Sequence, residues 1–189
     1  MRGGAAKRKI IFPEGFLPTE GFARQIDELH ARVLVLEKER RLALLVVELT
    51  SLPQEEIKAL RTIVCEASRA ERAFICVTHT FSAPHFMPDH QMDEAGRAKK
   101  AQLREAVQNA AREAARVAAQ GMKEARLTFG EAQCEVNTAR DVETPMGWWI
   151  DKNGSGAVDH RLTTLGFTDE AGARIATLLH DPIQSSVLD

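Results

Sequence analysis

The stretch "RLALLVVELTSLPQEEIKALRTIVCEASRAERAFICVT", residues 41–78, decides the fold. Residues 42–49 are nearly all apolar and rich in Leu and Val, the pattern of a strand buried on both faces. Pro53 then suits a first helical position, with Glu55 and Glu56 where the helix dipole favours negative charge. Ile57, Leu60, Val64 and Ala67 recur at helical spacing, so residues 53–68 read as an amphipathic helix. "AFICVT" reads as a second buried strand. Strand, helix and strand in this order make a βαβ unit with parallel pairing.

Outward from this unit, "ARVLVLEKERRLALLVVELT" holds two apolar runs about residues 38–41, a hairpin. "KRKIIF" near the start is a short first strand. Residues 93–120 form the longest helix, with Leu103, Val107, Ala110, Ala114 and Val117 on its buried face and Gly121 as its cap. Its many alanines let it approach a neighbour closely. "ARLTFGEAQCEV" is a strand, and "RLTTLGF" and "ARIATLLH" form a hairpin through "TDEAG". Between them, "NTARDVETPMGWWIDKNGSGAVDH" reads as a long loop. The whole, residues 1–189, is expected to be a single α/β domain: a mixed β-sheet with packing helices.

Composition narrows the function. The chain has 189 residues, 44% of them hydrophobic, enough for one sizeable core. A net charge of -2 and 5% aromatics without tyrosine argue against a nucleic-acid surface. No stretch approaches the ~20 apolar residues of a membrane span, and the basic N-terminus stops at Pro13, too short for a signal peptide. Cys65, Cys76 and Cys134 sit apart in apolar runs and read as buried, reduced thiols. A cytoplasmic protein is expected.

The chemistry-bearing residues gather at strand ends. In "ICVTHTFSAPHF", residues 75–86, a strand delivers His79 to its carboxyl end, where open α/β sheets bind ligands. His79 is either a ligand-binding group or a strand cap bonded to a loop carbonyl. His85 and His90 follow at intervals that match no standard zinc spacing, so a local three-histidine site is a minor alternative. Arg140 in "NTAR" could grip a carboxylate or lie free on the surface. Trp148 and Trp149 are a cover over the core or a wall facing substrate. His160 and His180 border strands and read as structural.

Taken in order, these segments resemble the N-terminal part of the neutral/alkaline (non-lysosomal) ceramidases and their shorter bacterial relatives. "LHARVLVLE" matches the family's "aRalvL" before a hairpin. "VTHTFSAP" matches its "THTHSGP" loop, and "AVDHRLTTLGFTDEAGARIATLL" its "vD..v.vLrF.d..G.piA.L". The resemblance implies a zinc amidase fold acting on an N-acyl bond. It assigns His79 as a zinc ligand, and it places Phe81 where the family has a second histidine and Ala83 where it has glycine. Gln184 stands at the place of a further zinc histidine. The family's loop arginine falls beside Asn137, where Thr138 stands, with Arg140 two residues on.

His79, with Gln184 or Ser185 opposite, is expected to form the catalytic wall, and Phe81, Ser82, His85, Asn137, Arg140, Trp148 and Trp149 to face the substrate. No cofactor is expected to be held tightly by this chain alone, zinc being the alternative. The function expected is hydrolysis of an amide or related acyl bond of a small substrate; the alternative is a non-catalytic scaffold subunit. "IQSSVLD" falls in the middle of the family's fold. The chain is thus expected to join a second polypeptide or C-terminal remainder, one route being self-cleavage after Asp189 that leaves an N-terminal nucleophile on the partner chain. A higher homo-oligomer is compatible with this expectation.

Overall fold

The computed structural model describes residues 1–183. In chain order it holds β1 (Arg2–Lys9), β2 (His30–Glu37), β3 (Arg41–Val47), α1 (Gln54–Ser68), β4 (Arg72–Val77), α2 (Glu94–Gln120) and β5 (Lys123–Glu124). Then come β6 (Arg126–Gln133), β7 (Ala139–Thr144), β8 (Gly147–Asn153), β9 (Arg161–Thr168) and β10 (Arg174–His180). The first five strands make one mixed sheet in the order β4-β3-β2-β1-β5. β3 and β4 run parallel and the other neighbours antiparallel, so the βαβ unit stands as read. A second sheet has the order β10-β9-β6, and β7 and β8 form a separate ribbon.

Both helices pack on one face of the main sheet. Strand alternation sends Ala31, Val33 and Val35 of β2, and Ala43, Leu45 and Val47 of β3, into that core, where Leu60, Val64, Leu103 and Val107 meet them. α1 begins at Pro53, whose extended backbone precedes the first turn, and ends at Arg69 in the left-handed region. α2 begins at Asp93, whose side chain accepts from the Gly96 N–H at 2.7 Å. Its alanines 110, 111, 114, 115 and 118 are buried, which brings its backbone down onto β1. A Cβ on Gly4 would lie 2.1 Å from the Ala118 carbonyl oxygen, so only glycine fits beneath the helix.

Several expectations change. The first strand is Arg2–Lys9, earlier than "KRKIIF", because Gly3 and Gly4 belong to the packed strand and the chain turns out of it after Lys9. β4 is not buried on both faces: it is the sheet's edge, and Phe74 is 58% exposed on the side away from α1. The outward face of β3 is half covered through Leu44 and Val46 and open at Leu42. Cys76 shares that edge and is exposed, while Cys65 and Cys134 are half-buried; all three are free. Burial pushes the Cys65 thiol above its ordinary range, which keeps it protonated. Gly121 caps α2 at φ -86, through its N–H to Val117, without a left-handed turn. The long loop is instead the β7–β8 hairpin, since "DVET" and "GWWID" pair across Pro145 and Met146.

The β9–β10 hairpin is tied to the main sheet by Lys123 and Asp169, 2.5 Å apart. The Lys123 ammonium, then the Ala173 N–H, hold the Asp169 carboxyl below its ordinary range. A depressed carboxylate contributes above its unfolded pKa and stops contributing as pH falls through the folded one. The tie should therefore hold at neutral pH and let go only below about pH 3.9. The Ala173 amide resonance, followed by NMR from pH 6 downward (on the order of the carboxylate range), should titrate with a midpoint below that value. A midpoint above it would rule the tie out.

Candidate functional site

The carboxyl ends of the parallel strands β3 and β4 open on the same side, and two loops meet there. The Thr78 N–H donates to the Val47 carbonyl at 3.0 Å, which keeps the strands paired up to their ends. One residue on, His79 takes φ 58, a left-handed conformation that costs a non-glycine residue roughly 1–2 kcal/mol. Its Nδ1 lies 2.7 Å from the Thr50 carbonyl oxygen in the loop after β3. The buried Thr50 hydroxyl donates to the Thr80 carbonyl at 2.5 Å. The Phe81 ring stands edge-on to the His79 imidazole, centroids 5.2 Å apart. His79, Phe81 and Ser82 are exposed, whereas Ala83 and Pro84 are buried and turn the loop back into the body.

His79 is thus bonded to a loop carbonyl while its ring remains exposed. His85 goes elsewhere: its N–H and its Nδ1 both donate to Glu20 Oε2, at 2.9 and 2.8 Å. That pair lines a cavity of about 530 Å³ with Phe16, Met87, Lys99 and Lys100, a cavity that His79 does not line. His90 is exposed on the short turn Asp89–Gln91. The three histidines do not converge.

Asn137 is a structural clamp. Its amide donates to the Asp159 and Pro182 carbonyls at 2.8 and 2.9 Å, and its Oδ1 accepts from His160 Nδ1 at 2.9 Å. This agrees with the structural reading of His160. Arg140 is exposed on β7 and makes no ion pair among the described residues. Trp148 and Trp149 are 69% and 58% exposed, so they do not cover the core. With Met146 and Ile150 they leave the β7–β8 ribbon apolar and open. Among the described residues no hydrogen bond joins this ribbon to His79. Gln184 and Ser185 lie outside the described residues.

Sequence reasoning missed the partners. Thr50 and Glu20 carry no motif. Glu48 does leave a signal, as the one charge in the apolar run 42–49: it accepts from the His30 N–H at 2.6 Å and from His30 Nδ1 at 3.2 Å, and it pairs with Arg32. This cluster sits two residues before Thr50 and anchors the same loop.

The described residues do not by themselves fit a zinc ion. Among them no group of three His, Cys, Asp or Glu side chains is placed to hold a metal. His79 has a carbonyl and a phenyl ring as its nearest partners, and a catalytic zinc needs three protein ligands. Among the described residues no helix is long and apolar enough to cross a membrane.

No family model matches the chain, and no curated protein matches it in sequence. Its fold does match solved structures. A crystal structure of neutral ceramidase from Pseudomonas aeruginosa superposes with a TM-score of 0.72 at 17% identity, over 96% of this chain and 31% of that one. A ceramidase complexed with C2 superposes at 0.71 and 18% identity, with the same coverage. The chain therefore has a ceramidase-like α/β fold and spans 31% of the length of the structures it matches.

Proposed function

We propose that this chain contributes the N-terminal portion of a ceramidase-like hydrolase acting on an amide or related acyl bond of a small substrate. The observation that carries the reading is His79: on this fold, an exposed imidazole is held in a strained backbone at the carboxyl end of a parallel strand. Strain at such a position is most often retained where chemistry uses it. His79 offers a ring nitrogen to the reacting groups, with Ser82 in the same loop; Gln184 and Ser185, which lie outside the described residues, are proposed as further members of the centre. Arg140, Trp148 and Trp149, exposed on their ribbon, are the proposed substrate contacts. A second polypeptide, or further chain, completes the centre; the open faces of β4, β6 and β8, with Phe74, Phe129 and Trp148 bare, support that. This chain alone is read as holding no metal tightly, with zinc as the alternative; a further chain would bring ligands of its own.

A scaffold without catalysis is the second reading. Phe81 favours it, because an aromatic ring stands against His79 where a second imidazole would serve a metal.

The natural protein, with whatever chain accompanies it, should release free amine from an N-acyl amine panel. His79→Ala should lower that rate by about 10²-fold or more at an unchanged unfolding midpoint. Elemental analysis of this chain alone after dialysis should find no stoichiometric zinc. Full activity in His79→Ala would remove His79 from the chemistry. No hydrolysis of any substrate would leave the scaffold reading. One zinc per chain, lost in His79→Ala, would replace the metal-free form with a metal-bound one.

A further inference from the structure

The imidazole of His79 has two nitrogens, and the fold treats them differently. Nδ1 lies 2.7 Å from the Thr50 carbonyl oxygen, which can only accept, so the ring proton sits on Nδ1. Nε2 makes no hydrogen bond among the described residues and carries the lone pair. In water the neutral ring favours the other arrangement, with the proton on Nε2. The hydrogen bond at one nitrogen decides what the other can do, whether it binds an electrophile or takes a proton.

We propose that Thr50 is the positioning residue of this site and holds His79 in the Nδ1–H tautomer, with Nε2 free to act. The inference rests on the reading of His79 as the site's imidazole. Three further observations carry it. Thr50 grips both sides of the strained turn: its carbonyl takes the His79 ring and its hydroxyl takes the Thr80 carbonyl. Thr50 is 6% exposed, so water competes little for either bond. The Phe81 ring, edge-on at 5.2 Å, stands against the imidazole and opposes its rotation away from Thr50. The loop that carries Thr50 is itself fixed by Glu48 on His30 and Arg32. The backbone carbonyl remains in any Thr50 variant, but without the hydroxyl the turn 79–82 loses its second tie and the ring its fixed distance.

The experiment reads the tautomer directly, without substrate. Uniformly ¹⁵N-labelled protein, dialysed against chelator, is examined by long-range ¹H–¹⁵N correlation about two pH units above the ordinary histidine pKa. His79→Gln assigns the resonances. The wild type should show His79 with Nδ1 protonated and Nε2 bearing the lone pair, and Thr50→Ser should show the same. In Thr50→Val the Nε2–H form should rise to about half or more of the population, the form an unrestrained neutral histidine side chain favours in water. Thr50→Ala serves in its place if the valine variant does not fold. A wild-type ring protonated on Nε2 would overturn the proposal, as would a Thr50→Val or Thr50→Ala ring identical to wild type. The expected tautomers in a protein that hydrolyses nothing would uphold the Thr50 clamp and remove the hydrolase reading alone.

Discussion

Gly4→Val should be the most damaging single change in the described fold, lowering stability by about 3 kcal/mol or more, at the upper end of overpacking effects. The reason is that the obstacle is backbone. A Cβ at Gly4 meets the Ala118 carbonyl oxygen at 2.1 Å and the Met122 N at 3.0 Å. A flexible side chain could turn aside, but the end of a 27-residue helix cannot. Either α2 lifts from β1, opening the alanine-lined contact, or β1 leaves its register with β2. The control is Ala5→Val on the same strand, which places the same branched side chain on the exposed face. That change should cost under about 0.5 kcal/mol. Urea unfolding of both variants checks the difference. A Gly4→Val midpoint near that of Ala5→Val would mean that the helix does not rest on β1 as described.

Arg104→Met should cost about 3 kcal/mol, the lower end of what a stranded buried charge loses. Glu56 is 2% exposed in the first turn of α1, and Arg104 Nε on α2 donates to its Oε1 at 2.6 Å. Removing the guanidinium leaves a carboxylate with neither water nor a cation. The arginine itself is partly open to solvent, which moderates the loss. The companion experiment separates this from lost packing. Glu56→Gln together with Arg104→Met removes the charge as well as its partner, and should recover most of the stability lost in the single variant. If the double variant is as unstable as the single one, the cost lies in packing between the helices and the ion pair is incidental.

Glu56 also shows where reading along the chain stops. Its place in the first turn of α1 was legible, as was its favourable sign against the helix dipole. Its burial and its bond to a residue 48 positions away were not. His79 divides in the same way. Its arrival at a strand end could be read from "ICVTHT" alone, and the order of segments carried the likeness to ceramidases, whose fold the chain shares. Its partner Thr50, 29 residues earlier, could not be read.

The periodic elements were legible because their signals are local. The run of residues 42–49, the helical spacing from Ile57 to Ala67 and the alanine face of α2 each state a period and a preferred face, and β3, α1, β4 and α2 follow them. What failed locally failed for tertiary reasons. β4 has the composition of a buried strand, but α1 covers only one of its faces, so Phe74 and Cys76 on the other are bare. "DVETPMGWWID" has turn residues on both flanks that masked a paired ribbon. Sequence by itself determined the order and type of the main elements, because backbone propensity and side-chain periodicity act within a few residues. Tertiary structure alone decided which strand is an edge, which glycine lies under a helix and which carbonyl holds the histidine, because each of these depends on two segments meeting that are distant along the chain.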